Sequence, residues 1–248
     1  MNHQNIKICL ALPVKTGEIN QIKGLLSKFS EEKPDIIELR FDYIENISKI
    51  TPSFLEKLLT LTDVPYIFTL RRTHEGGHLN LEETKRLSIL RKLIDAGPKY
   101  LDIEINNSTE ILHEVLTLCT EKKVKVILSH HNFETTLSLK NAYQLIENCL
   151  GRIKPIIKSN FNIYDDLIFK IIFTATKFED NLIPLKLCKR INKEGYKMIS
   201  FCMGELGLFS RIMCIKAGSF LTYAALHDKT APGQISFAKM KEIYSLLD

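Results

Sequence analysis

The chain has 248 residues, 45% hydrophobic and 25% charged, with a formal net charge of +5. Its lysines are spread along the chain rather than clustered with aromatics, which argues against a nucleic-acid footprint and for a solvated surface with weak attraction for small anions. No apolar run is long enough to span a bilayer, "MNHQNIKICLALP" lacks the long apolar core of a signal peptide, and six cysteines without any C-x-x-C pair suit a reducing, cytoplasmic setting and show no metal-ligand spacing.

In chain order, short apolar or β-branched runs alternate with helical periodicity. "IKICLAL" (6–12) reads as a strand, and "INQIKGLLSKF" after it places Ile19, Ile22, Leu25, Leu26 and Phe29 on one helical face. "DIIELRFD" (35–42) is a second strand. Side chains alternate faces along a strand, so Ile36, Glu38, Arg40 and Asp42 share one face, opposite Ile37, Leu39 and Phe41. "YIFTLR" (66–71) is a third strand ending at Arg71. The "RRTHEGGH" loop follows, where Gly76 and Gly77 suit mobility and Glu75 reads as a loop charge. "LEETKRLSILRKLIDAG" is helical and stops at Gly97. "YLDIEI" (100–105) sets Asp102 and Glu104 on one face, and Ser108 caps the helix "STEILHEVLTLCTEKK".

"VKVILSHH" (124–131) ends in two histidines. Alternation sends His130 and His131 to opposite faces, so they cannot share one interior metal ion, and parity alone does not choose between them. "LIFKIIF" (167–173) buries Lys170 in an apolar strand, in register with Ile168 and Ile172. An ammonium there is costly unless it is paired or loses its proton. The helix "PLKLCKRINKEG" closes on Gly195, and the strands "KMISFCM" (197–203) and "SFLTYAAL" (219–226) follow. "HDKTAPGQIS" (227–236) is a turn-bearing loop expected over the mouth.

Eight strands alternating with helices over this length predict one (β/α)8 barrel domain spanning 1–248. A doubly wound open sheet would show a glycine-rich phosphate loop after an early strand, and "PVKTGEIN" is not one. Charges sent inward by several separate strands point to a site at the barrel mouth, because buried ion pairs are poor stabilisers.

Six segments, in order on these strands and loops, resemble type I 3-dehydroquinate dehydratase, a family of class I aldolase-like barrels. "ELRFD" resembles its Glu-x-Arg-x-Asp, and "FTLRRTHEGG" its Phe-Thr-x-Arg-x3-Glu-Gly-Gly. "SHHNF" resembles its Ser-x-His-x-Phe, which selects His131, and "FKI" the pair carrying its Schiff-base lysine. "MGELGLFSR" resembles the segment ending in its carboxylate-binding arginine, and "TAPGQI" its closing loop. The chain departs from the pattern at Thr230, where serine is common, and at Cys202, where serine is expected. The stretch from Asn132 to Asp166 is also longer than the family's.

The resemblance implies cofactor-free loss of water from 3-dehydroquinate, a small anionic polyol, in the shikimate pathway of aromatic amino acid biosynthesis. It implies that Lys170 forms the imine, that His131 moves the protons and that Glu75 sets the histidine tautomer. Apolar surroundings and nearby cations would keep Lys170 neutral. Arg211, with Thr230 and Gln234, would hold the substrate carboxylate. Glu38, Arg40 and Arg71 would hold ring oxygens, and Met203 and Tyr223 would line the wall. It further implies a homodimer, with no metal, nucleic-acid or membrane partner. A Schiff-base aldolase or transaldolase would share Lys170 but needs a phosphate site after strands 7 and 8. A small-acid-binding barrel would leave the lysine without a purpose.

Overall fold

The computed structural model describes residues 6–225 and 235–247. The eight strands are β1 (Ile8–Pro13), β2 (Ile36–Arg40), β3 (Tyr66–Thr69), β4 (Tyr100–Glu104), β5 (Lys125–His131), β6 (Leu167–Thr174), β7 (Lys197–Met203) and β8 (Thr222–Ala224). All pair in parallel in the order β7-β6-β5-β4-β3-β2-β1-β8. The Phe220 N–H donates to the Met198 carbonyl at 2.6 Å and brings the segment before β8 against β7. The sheet is therefore a nearly closed barrel, the (β/α)8 fold expected from the alternation.

Helices fill the crossovers: α1 (Ile19–Glu32), α2 (Pro52–Leu59), α3 (Glu83–Asp95), α4 (Thr109–Lys122), α5 (Leu139–Ile153), α6 (Leu182–Lys193), α7 (Leu208–Met213) and α8 (Phe237–Leu247). Ser108 caps α4 as expected, its hydroxyl accepting from the Ile111 N–H at 3.4 Å. Gly97 and Gly195 end α3 and α6 at φ of 78° and 88°, the left-handed region that a glycine tolerates. The strand residues that alternate with the interior charges, among them Ile37, Leu39 and Ile103, are fully buried in one core with helix residues such as Leu90, Leu93 and Leu112. Each such side chain stabilises the fold by about 1.5–3 kcal/mol.

The strands are shorter than their apolar runs in two places that matter. β2 stops at Arg40, and 41–43 form a 3₁₀ turn, so Asp42 is not a strand residue. The turn folds its buried carboxylate back onto Arg40. β3 stops at Thr69, and Arg71 lies beyond it. The stretch from Asn132 to Asp166 holds α5 and then a turn at the foot of β6. There Phe161 is buried, Tyr164 stacks on Tyr196, and the Asp166 carbonyl accepts from the Val126 N–H at 2.7 Å. That turn sits at the end of the barrel away from the charged mouth.

Candidate active site

At the C-terminal mouth a cavity of about 100 Å³ gathers side chains from six strand ends or the segments that follow them. β2 supplies Glu38 and Arg40, the loop after β3 supplies Arg71 and Glu75, and β5 supplies His131. Lys170 on β6, Met203 on β7, Arg211 on α7 and Tyr223 on β8 complete nine of the eleven residues that the sequence singled out. The other two, Thr230 and Gln234, lie outside the described residues.

Register explains the convergence. Ser129 pairs with Lys170 and His131 with Ile172, so these four side chains share the inner face of neighbouring strands. The amine of Lys170, however, is not in apolar surroundings, and that expectation is corrected. Its Nζ lies 3.0 Å from Asp102 Oδ2, 3.6 Å from Glu38 Oε1 and 3.2 Å from the Tyr223 hydroxyl. The apolar residues are its neighbours along β6. Its partners come from β2, β4 and β8 across the interior, a direction that one strand's sequence cannot display.

Arg71 is the hub of the cluster. It donates to Asp102 Oδ1 at 2.8 Å, Glu104 Oε1 at 3.3 Å and Ser129 Oγ at 2.6 Å. Burial alone would raise Asp102, but Arg71 and Lys170, with the Ser129 hydroxyl, hold it down to about 2. Arg40 forks Asp42 through Nε and Nη2, both at 2.8 Å, and also reaches the Gly76 carbonyl at 3.0 Å. Arg40 and Arg71 thus reach the cavity already committed to carboxylates.

Glu75 is neither a solvated nor a loosely held charge. It ends a 3₁₀ turn (Thr73–Glu75) and is only 3% exposed. Gly76, at φ 84°, and Gly77 close that turn tightly. A Cβ at Gly76 would overlap the Phe133 ring, and one at Gly77 would overlap the Arg71 carbonyl. These glycines are needed for close approach, not for mobility. Glu75 Oε2 accepts from the His131 N–H at 2.9 Å and lies 3.3 Å from His131 Nδ1. Burial pushes Glu75 up to about 7, with Glu104 and Asp102 adding to the rise against the pull of Arg71. His131 is driven well below its ordinary value by burial and then by Arg71, Lys170 and Arg40.

The two histidines separate only in part. His131 lines the cavity and His130 does not, as alternation requires. Yet His130 Nδ1 also comes within 3.9 Å of Glu75 Oε1, with Asn106 beside both. At the strand end the turn carries one carboxylate to both rings.

Arg211 is 1% exposed, with its guanidinium 4.4 Å from the Phe201 ring centroid, and burial pulls it down to about 10. Sequence reasoning left Phe133, Phe201 and Ile172 out of the lining, and it placed Asp102 on the inner face without assigning it to the site. For Asp102 the signal was its parity on β4. For Phe133 it was its place at the end of "SHHNF". Among the described residues no group of three or more His, Cys, Asp or Glu side chains is placed to hold a metal ion. The arrangement offers a buried amine, a histidine on a carboxylate and a desolvated arginine around one small polar cavity.

Residues 8–248 match the model of the Type I 3-dehydroquinase family. The chain belongs to this family. It is 38% identical over 209 residues to the 3-dehydroquinate dehydratase of Dehalococcoides mccartyi strain 195, covering 84% of this chain and 83% of that one. It is 32% identical over 241 residues to the enzyme of that name from Desulfotalea psychrophila, covering 96% and 97%. In structure it is similar to the type I 3-dehydroquinate dehydratase of Clostridium difficile, described with covalently modified comenic acid. The TM-score is 0.81 at 27% identity, covering 98% of this chain and 92% of that one. The family is that of a hydro-lyase, and the chain is a type I 3-dehydroquinate dehydratase on the strength of the match along its length. Among the described residues no helix is long and apolar enough to cross a membrane.

Proposed function

We propose that the dehydration runs through an imine on Lys170, with the whole chain acting as one catalytic domain. The observation that carries this reading is the meeting, in one small cavity, of a buried amine with a histidine already set on a carboxylate. The neutral amine of Lys170 adds to the substrate ketone and water leaves, forming a C=N bond. The protonated imine then draws electrons from the neighbouring carbon, whose proton becomes removable. That nitrogen is cationic both as ammonium and as iminium. The carboxylates of Asp102 and Glu38 therefore suit the intermediate as well as the resting chain.

His131 takes the α-proton, the electron pair moves into an enamine, and the β-hydroxyl departs as water with the proton that His131 returns. Water then hydrolyses the conjugated imine and frees Lys170. A His131 that starts neutral is what the first step needs, and burial among cations keeps it so. Glu75, holding Nδ1, leaves Nε2 to face the substrate. Arg211 forks the substrate carboxylate, aided by Thr230 and Gln234. Glu38, Arg40 and Arg71 face the ring hydroxyls, and Met203 and Tyr223 form the wall. Tyr223 also touches the amine.

The substrate is 3-dehydroquinate and the step belongs to the shikimate pathway, in the cytoplasm, in a homodimer. The covalent compound on the Clostridium difficile relative supports a reacting side chain in this family. The test is to incubate the protein with 3-dehydroquinate and borohydride and to map the adduct by mass spectrometry. A reduced adduct on Lys170, absent from Lys170→Met, is expected. An adduct elsewhere, or turnover by Lys170→Met, would overturn the reading.

A further inference from the structure

The ion pairs around Lys170 do not end at the cavity. Asp102 passes the contact to Arg71, and Arg71 passes it to Glu104. Glu104 is held in turn by Arg86, whose Nη2 lies 2.5 Å from its Oε2. Arg86 sits on α3, outside the cavity, and is 3% exposed. Its Nη1 also reaches Asn107 Oδ1 at 3.0 Å and Glu83 Oε1 at 3.4 Å, and Glu83 is a half-exposed residue on the same helix. The charges alternate along the whole line: Glu83, Arg86, Glu104, Arg71, Asp102, Lys170. A second strut locks the middle of it, because Glu104 Oε1 also accepts from the Arg72 N–H at 3.0 Å and so ties the β3 loop to β4. Asn107, which fixes Arg86, also donates to the Glu104 carbonyl at 2.6 Å.

A surface salt bridge needs no such depth, and a buried one is a weak source of stability. What a rigid line of hydrogen-bonded charges supplies is position. Arg71 has two carboxylates to choose from, and only a fixed Glu104 leaves its Nη2 on Asp102 and so Asp102 Oδ2 on the amine. We propose that Arg86 is a positioning residue for the dehydration. Through Glu104 and Arg71 it holds Asp102 against Lys170, although Arg86 itself touches neither substrate nor lysine. This rests on Lys170 being the reacting amine.

The test uses Arg86→Met, Arg86→Lys and the double variant Arg86→Met with Glu104→Gln. The single methionine takes the nearer of two cations from buried Glu104, leaving it Arg71 at 3.3 Å, and costs stability. The double variant removes both charges at near-constant volume and keeps the fold. Two quantities are read on the folded fraction: kcat and KM, and the rate at which borohydride traps 3-dehydroquinate on Lys170. In the methionine single and the double variant, kcat and trapping rate should fall together by about tenfold, with KM within about threefold of wild type. Because both break the same link, the double should be no worse than the single. Arg86→Lys, one ammonium in place of a bridging fork, should recover part of kcat. A purely structural role predicts an unchanged kcat per folded molecule in all three, and that result overturns the proposal, as does a loss confined to KM. If wild type gives no adduct on Lys170, the imine reading itself is wrong. If wild type is trapped and the variants are trapped equally fast, only the role of Arg86 is wrong.

Discussion

Replacing Glu75 by glutamine keeps the shape of the side chain beside His131 and removes its titration. In the folded chain Glu75 holds its proton up to about pH 7, against an ordinary value of 4.5, because burial penalises its charge. Between those values the folded state binds more protons than the unfolded state. Stability therefore falls as pH rises through the window, and the full cost stands above pH 7. At about 1.4 kcal/mol per pH unit, that separation corresponds to about 3 kcal/mol. Glu75→Gln should match wild type near pH 4 and exceed it by up to about 3 kcal/mol at pH 8. His131 acts in the opposite sense. Its lowered value makes the folded state lose stability only as pH falls below the ordinary 6.5, so it does not mimic the effect.

Activity should move the other way. A protonated Glu75 donates to Nδ1 and leaves Nε2 carrying a hydrogen, which cannot take the α-proton. An ionised Glu75 accepts from Nδ1–H and frees Nε2 as the base. Wild-type kcat/KM should therefore climb about tenfold per pH unit up to a break near 7. Glu75→Gln should lack that limb and run slower at pH 8 by up to about ten-thousandfold, the loss that follows when an amide replaces the carboxylate fixing a catalytic histidine's tautomer. Urea unfolding of both proteins from pH 4 to 9, beside their pH–rate profiles, decides the matter. A stability difference that does not change with pH, or a variant that keeps the break near 7, refutes the assignment.

Arg211→Ala should raise KM by at least about thirtyfold with a smaller change in kcat, since it is assigned to a carboxylate that does not react; an unchanged KM in steady-state kinetics counts against it. His131→Ala should still form the imine but lose about a hundred- to ten-thousandfold in dehydration, so intact-mass analysis after borohydride should find the adduct accumulating on Lys170. His130→Ala, whose ring is outside the cavity, should keep most activity, and the reverse ranking of the two histidines refutes the choice between them. Dialysis against EDTA should leave turnover unchanged, because no ligand cluster stands among the described residues; loss restored by a divalent ion would contradict that.

Alternation made the barrel and the direction of its charges legible, because a period of two is a property of a single strand. Glu38 and Arg40, Asp102 and Glu104, and Ser129 and His131 all face inward as their parity requires. What parity cannot reach is distance across the interior. Lys170 read as isolated because its sequence neighbours are apolar, while its partners lie on strands far away in the chain. Asp42 and Arg71 read as strand residues because a hydrophobic run carries no sign of where pairing stops. A 3₁₀ turn ends the first, and the backbone N–H of the second goes to Asp42 Oδ1 at 3.3 Å rather than to a neighbouring strand. The burial of Glu75 was hidden for a different reason. Burial of a loop charge depends on a tight turn at Gly76 and Gly77 and on the Phe133 ring above it, all set by tertiary packing. The short α2 escaped notice because it depends on its Thr51 cap and on Pro52 more than on a long apolar stripe.

The charged interior also makes a distinction between removing a partner and removing a hub. Lys170→Met takes away one cation, yet Asp102 keeps Arg71 at 2.8 Å and Ser129 at 2.6 Å, and Glu38 keeps the Thr69 hydroxyl at 2.8 Å. No carboxylate is left buried and unpartnered, and an apolar side chain of similar length fills the space. Asp102 keeps a second cation, while Glu38 loses the one paired with it, so Lys170→Met should cost less than the loss of Arg71, about 1–3 kcal/mol in urea unfolding. Arg71→Met leaves Asp102 with Lys170 and Glu104 with Arg86, but it takes the shared cation from both carboxylates and a bond from Ser129, so it should cost more, about 3–5 kcal/mol. The most functional residue of the cluster is then the cheapest to lose for stability, and the one that merely supports it is the dearest. Parallel urea titrations at pH 7.5 test the order. If Lys170→Met is the more destabilised of the two, then the lysine, not Arg71, is the keystone of the network.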